Sequence, residues 1–174
     1  YNRAVTDRLL AGAIEAYTRL GGERDHLTVV DAAGAFEIPY LAATARDTRK
    51  VAGIVAIGCI IKGETNHDEV LGHAVTTALM NLSTNPGSLP APVPVGLAVL
   101  TVNTPQQALA RAGGPHGNKG AEAMLAVLQS LSATVALRGG TALVGGVNVV
   151  STSDLASVPS PAETSHDKLT GEGR

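Results

Sequence analysis

Hydrophobic and polar positions alternate along this chain in two rhythms. From Thr6 to Leu20 the apolar residues Leu9, Leu10, Ala13, Ile14, Ala16 and Tyr17 recur at helical spacing, and Gly21-Gly22 supplies the stop. Leu27 to Val30 is short and β-branched and predicts a strand. Asp31 to Pro39 reads as a loop, and Glu37 to Lys50 as a helix with Pro39 in its first turn. Gly53 to Ile61 is apolar on both faces, as a central parallel strand is. A loop, Gly63 to Asn66, leads into a helix over Asp68 to Leu82, with Val70, Leu71, Ala74, Ala78 and Leu82 on one side. The connection Thr84 to Pro94 carries Pro86, Pro90 and Pro92, and Val95 to Val102 is the next strand. Thr104-Pro105-Gln106-Gln107 opens a helix with a capping box; that helix ends near Ala112, before Gly113-Gly114. After a polar loop, Lys119 to Arg138 is helical, with Met124, Leu128, Leu131 and Val135 in one stripe and Gly139 as its C-cap.

Strands alternating with helices predict right-handed βαβ units: an α/β fold whose parallel sheet is covered on both faces. The ligand crevice of such a sheet lies beyond the carboxyl ends of its strands. The loops Ala32 to Ile38, Gly63 to His67 and Thr101 to Thr104 all follow strands and should gather there. Residues 1–138 form one domain. Residues 139–174, rich in Gly, Ser, Thr, Pro and Ala, read as a tail in which only Ala142 to Val150 is strand-like.

Composition narrows the picture. Hydrophobic residues make up 44% of the 174, but aromatics only 2%, so the core is built from Ala, Val, Leu and Ile. A net charge of −2 gives no basic excess for nucleic acid or an anionic membrane. The single cysteine, Cys59, excludes an intrachain disulfide framework and a multi-thiolate zinc site, and fits a reducing cytoplasm. No uninterrupted apolar run reaches the roughly 18 residues of a membrane span. Tyr1-Asn2-Arg3 begins no signal-peptide core, and further residues are expected before Tyr1.

Three segments carry candidate chemistry. Gly63-Glu64-Thr65-Asn66-His67 joins a buried strand to a helix N-terminus, where free N–H groups and the helix dipole favour an anion; His67 at its mouth is placed to move protons. The plain alternative is a surface His with an exposed Lys62 beside it. Gly34-Ala35-Phe36-Glu37-Ile38-Pro39 holds the only Phe, either as a flat wall for a heterocycle or as a plug with a helix-capping Glu. Arg111, ahead of Gly117-Asn118-Lys119-Gly120, suits a phosphate. Lys119 sits where the dipole disfavours a cation, which hints at function. His73 and His116 read as structural or surface residues.

Together these strings resemble the 6,7-dimethyl-8-ribityllumazine synthase family. Gly34-Ala-Phe-Glu-Ile-Pro39, Gly58-Cys-Ile-Ile-Lys-Gly-Glu-Thr-Asn-His67, Val99-Leu-Thr101, Arg111-Ala-Gly113 and Gly117-Asn-Lys-Gly120 match in order and spacing, over about residues 1 to 138. The resemblance implies a flavodoxin-like three-layer α/β/α sandwich. It implies condensation of 5-amino-6-(D-ribitylamino)uracil with 3,4-dihydroxy-2-butanone 4-phosphate, without metal or organic cofactor. It also implies homopentamers, with the site between neighbouring subunits, and riboflavin synthase as an expected partner. The short loop Gly113 to Lys119 favours twelve pentamers in an icosahedral shell over a lone pentamer.

Carried over, His67 transfers protons and Arg111 holds the phosphate with Gly63, Glu64 and Thr65. Ala35, Phe36, Glu37, Ile38, Ile60, Ile61 and Lys62 meet the substrates, Tyr1 of the Tyr1-Asn2 pair stacks on the pyrimidine, and Lys119 reaches in from the next subunit. Three departures stand out: Asp68-Glu69-Val70 where aromatics flank an acid, Leu97 where Phe is frequent, and the long Thr84–Pro94 connection. They motivate a rival reading, a shell-forming homologue with weak or lost catalysis. A flavin-binding module is a third, and it lacks a phosphate-cradling loop. The family also has a central strand before the position of Tyr1, while Asp167 to Arg174 resembles the segment preceding that strand. A permuted order or a chance likeness would each account for this, and Ala142 to Val150 is a candidate substitute strand.

Overall fold

The computed structural model describes residues 2–84, 92–139, 142–144 and 147–149. Helix α1 runs over Arg3–Arg19 and α2 over Ile38–Asp47; strand β1 is Ile54–Ile61, α3 is His67–Thr84 and β2 is Val95–Val102. Then follow α4 (Pro105–Ala110), β3 (Ala112–Gly114), β4 (Gly117–Asn118), α5 (Lys119–Leu137), β5 (Ala142–Val144) and β6 (Val147–Val149).

β1 and β2 pair in parallel, from Ile54 beside Val95 to Ile61 beside Val102. Alternate β1 side chains enter opposite layers. Ile54 and Ala56 join Ile38 and Ala42 of α2 and Val75, Leu79 and Leu82 of α3. Ile57, Cys59 and Ile61 join Val5 and Leu9 of α1, with Leu100, Ala108 and Ala112. Met124 and Leu128 of α5 close the second layer over Ala13, Val55 and Ile57. Helices therefore cover both faces of a parallel sheet, the expected α/β/α layering. By length and hydropathy α5 alone among the described helices suits a membrane. Its apolar stripe lies against α1 and β2 instead, as in a core helix.

The helix α1 begins three residues earlier than its apolar pattern, and α3 extends past its pattern at both ends. Two expectations are corrected. Leu27 to Val30 forms no strand: Leu27 is extended (φ −99, ψ 127), but among the described residues no ladder partner flanks the segment, and Val29 and Val30 stay 57% and 62% exposed. A β-branched run supplies propensity only; the ladder needs a neighbour. The polar stretch after α4 is the hairpin β3–β4, with Gly113 and Gly117 at positive φ. The capping box also shifts by one residue. Thr104 Oγ1 accepts from Gln107 N–H at 3.2 Å, while Gln107 Oε1 accepts from Asn103 N–H at 2.8 Å. Gly139, at φ +73, follows α5 as expected. Of the Thr84–Pro94 connection, residues 85–91 lie outside the described residues, as does most of the tail.

Candidate active site

The carboxyl end of β1 organises the site. Past Ile61 the chain runs exposed through Lys62, Gly63, Glu64, Thr65 and Asn66 into α3, which His67 opens. Thr65 Oγ1 accepts from His67 N–H at 3.4 Å, an i, i+2 turn just ahead of the helix. First-turn amides of a helix have no partner within it, so this mouth offers N–H groups and a positive dipole end to an anion. The His67 side chain stands exposed at that mouth. Neither following carboxylate pairs with it. Glu69 reaches His73 instead, at 4.0 Å, and Asp68 turns one oxygen inward with no hydrogen-bond partner.

A second wall comes from Ala35–Glu37, a single 3-10 turn ahead of α2. Phe36 is 68% exposed there, so it does not plug the core; Ile38 does, at 8%. Glu37 makes no capping hydrogen bond, which leaves its carboxylate free for a ligand. Asn2, at φ 54, donates from Nδ2 to Cys59 C=O at 2.9 Å, tying the start of α1 to β1. Tyr1 lies outside the described residues. Ile60 is buried at 6% with its backbone turned to β2 in the ladder, while Ile61 is half-buried at the strand end with its backbone turned away from β2.

The remaining candidates sit on other elements. Arg111 ends α4 and donates from Nη1 to Gln107 C=O at 3.1 Å. Lys119 N–H donates to Arg111 C=O at 2.9 Å across the neck of the β3–β4 hairpin, so the two cations share one support. Glu122, one turn on, pairs with Lys119 Nζ and relieves its clash with the helix dipole. Leu97 lies low on β2, opposite Ala56, and is 46% exposed in a groove between α3 and α5 with Thr76, Met80, Pro94 and Val127. Among the described residues no hydrogen bond or ion pair joins His67 to Arg111, and no group of three His, Cys, Asp or Glu is set to hold a metal.

Sequence comparison decides the family. Residues 1–134 match the family model described as 6,7-dimethyl-8-ribityllumazine synthase. The chain belongs to the 6,7-dimethyl-8-ribityllumazine synthase family. Curated members of that name include one from Lawsonia intracellularis, 40% identical over 131 residues (75% of this chain, 80% of the relative). Another, from Campylobacter jejuni subsp. doylei, is 38% identical over 134 residues (77% and 84%). One from Thermus thermophilus is 40% identical over 129 residues (74% and 79%).

Of the positions at which this chain departs from the lumazine synthase pattern, Glu69, Val70 and Leu97 are exposed, whereas Asp68 is half-buried. Tyr40, 73% exposed one helical turn after Phe36, is an aromatic that motif reading passed over. Its signal was the i, i+4 spacing to Phe36 across a helix start.

Proposed function

We propose that this chain condenses 5-amino-6-(D-ribitylamino)uracil with 3,4-dihydroxy-2-butanone 4-phosphate to 6,7-dimethyl-8-ribityllumazine, with release of inorganic phosphate and water. The observation that carries this reading is the membership of residues 1–134 in the lumazine synthase family, joined to an exposed His67 at a helix N-terminus. The amine of the pyrimidine substrate attacks the ketone carbonyl, and water leaves as the imine forms. Proton loss from the carbon chain and departure of phosphate follow, and ring closure loses a second water. The nucleophile belongs to the substrate, so the protein's work is to position groups and move protons.

In this reading His67 takes and returns the protons. The turn Gly63-Glu64-Thr65 and Arg111 hold the phosphate. Phe36, Glu37, Tyr1 and the backbone of Ile61 frame the pyrimidine and its ribityl chain. Leu97 and Lys119 come from the neighbouring copy, a reading supported by Leu97 lying exposed in a groove between α3 and α5. Assembly as a homopentamer, twelve of which close a shell, belongs to the same reading, as do riboflavin synthase as a partner and a cytoplasmic location.

The test is phosphate release on mixing the two substrates. His67→Ala should slow it about 10²–10⁴-fold, the usual share of general acid–base catalysis. Turnover unchanged by that substitution would remove His67 from the mechanism. A folded parent chain that releases no phosphate would favour the shell-forming homologue.

A further inference from the structure

α4 is six residues long, and its last turn tightens. The N–H of Arg111 donates to Ala108 C=O at 3.1 Å rather than to the carbonyl four residues back. Gln107 C=O is left without the backbone partner that a regular helix would give it. The guanidinium takes that place, with Nη1 of Arg111 donating to Gln107 C=O at 3.1 Å. The side chain therefore folds back along α4, toward the end of β2. The backbone of Arg111 is held separately, because its C=O accepts from Lys119 N–H at 2.9 Å. Among the described residues no carboxylate pairs with the guanidinium, so Gln107 C=O sets its direction.

Gln107 is itself held twice more. Its N–H donates to Thr104 Oγ1 at 3.2 Å, an ordinary helix cap. Its side chain does what a capping box does not. In that motif the glutamine returns to the N–H of the capping residue, here Thr104. Instead Oε1 accepts from the N–H of Asn103 at 2.8 Å. The peptide unit that supplies this N–H also ends the sheet, since its carbonyl, on Val102, accepts from Lys62 N–H at 2.8 Å. One planar peptide thus meets the end of β1 through its oxygen and α4 through its hydrogen. A cap from Thr104 alone would leave α4 free to swing about the turn that follows β2. The bond to Asn103 removes that freedom.

We propose that Gln107 is the positioning residue of Arg111. Its side chain fixes α4 against the end of the sheet, and its carbonyl then aims the guanidinium at the phosphate of the ketone substrate. This rests on the reading of Arg111 as the phosphate ligand.

Steady-state phosphate release by the whole chain, at saturating pyrimidine and varied ketone, tests it. Gln107→Met keeps the length and helix propensity of the side chain and removes its acceptor. It should raise KM for the ketone about 3–10-fold, the effect of one hydrogen bond, and leave kcat within about twofold. Added to Arg111→Ala it should raise KM no further, because a residue that acts through the guanidinium then has nothing left to aim. A KM unchanged by Gln107→Met, beside an Arg111→Ala variant that raises it, overturns the proposal and leaves the phosphate reading standing. So does an equal rise in both backgrounds, which is the mark of a general loss of packing. An Arg111→Ala variant with the parent's KM removes the phosphate reading and this proposal with it. Should Gln107→Met not fold, the Asn103 amide of the parent chain decides. Slow hydrogen exchange there supports the clamp, and exchange at the free-peptide rate overturns it.

Discussion

Arg111 spends one of its five N–H donors on Gln107 C=O, which aims the guanidinium without exhausting it. The remaining fork suits a phosphate. Arg111→Ala should therefore raise KM for the phosphorylated ketone about 10–100-fold, the worth of one or two charge-assisted hydrogen bonds, with a smaller change in kcat. Steady-state phosphate release at varied ketone concentration reads this directly. Cys59 behaves oppositely. It is 9% exposed, and burial pushes its thiol above the ordinary value of 9.0. The folded protein should react with maleimide far more slowly at pH 8 than the unfolded chain. The sign of the linkage follows. Above pH 9 the unfolded thiol loses its proton while the folded one keeps it, so this group's contribution to stability is present below that pH and lost above it. Denaturant titrations at pH 8 and pH 10 on the parent and Cys59→Ala separate this effect from other titrations. At this scale the sequence singled out His67 and Arg111 as candidates through short strings in family order, and the structure places them at the start of α3 and the end of α4. The sequence did not show that Glu69 turns to His73 or that Glu122 pairs with Lys119, because those depend on rotamers set by the folded surface.

At the scale of elements, periodicity was a sound guide wherever packing repeats it. α1 and α5 bury the core of the stripes their apolar spacing draws, and β1 and β2 pair in parallel without polar alternation, whereas α3 is turned from its expected face: it buries Gly72, Val75, Leu79 and Leu82 and leaves Val70 and Ala74 exposed. It failed at Leu27 to Val30, where a ladder neighbour rather than propensity decides, and at β3–β4, whose two or three residues are too few to show a period. Asn118 was equally hard to see. Read as part of a loop, it is the buried cap of α5. Its Oδ1 accepts from Gly120 N–H at 2.9 Å and Ala121 N–H at 3.2 Å, while Nδ2 donates to Arg8 C=O at 2.9 Å. One side chain thus caps one helix and clips it to another. Asn118→Ala should cost about 2–4 kcal/mol, a lost cap plus a buried carbonyl left unpaired, measured by denaturant unfolding. Gly120 explains the closeness of that contact: a Cβ there would meet Leu9 C=O, so Gly120→Ala should force α1 and α5 apart and destabilise the fold comparably.

The proposed site shared between copies is testable at the scale of the whole molecule, with His67 in one half and Leu97 and Lys119 in the other. His67, Phe36 and the Gly63–Thr65 turn ring the end of β1, whereas Leu97 opens on the far edge of β2. Phe36, Tyr40, Val70, Met80 and Leu97 are 46–73% exposed, a large apolar display for a chain so poor in aromatics. Leu97→Asp should therefore lower the sedimentation coefficient toward that of the monomer and reduce phosphate release along with it. A sharper experiment mixes two variants. His67→Ala removes one half-site and Lys119→Ala the other. In a ring of identical contacts assembled at random from equal amounts, about one quarter of the interfaces pair an intact His67 with an intact Lys119. Dissociating and reassembling the mixture should then raise activity above the mean of the two separate variants. A site contained within one copy would return only that mean, because no intact combination could form.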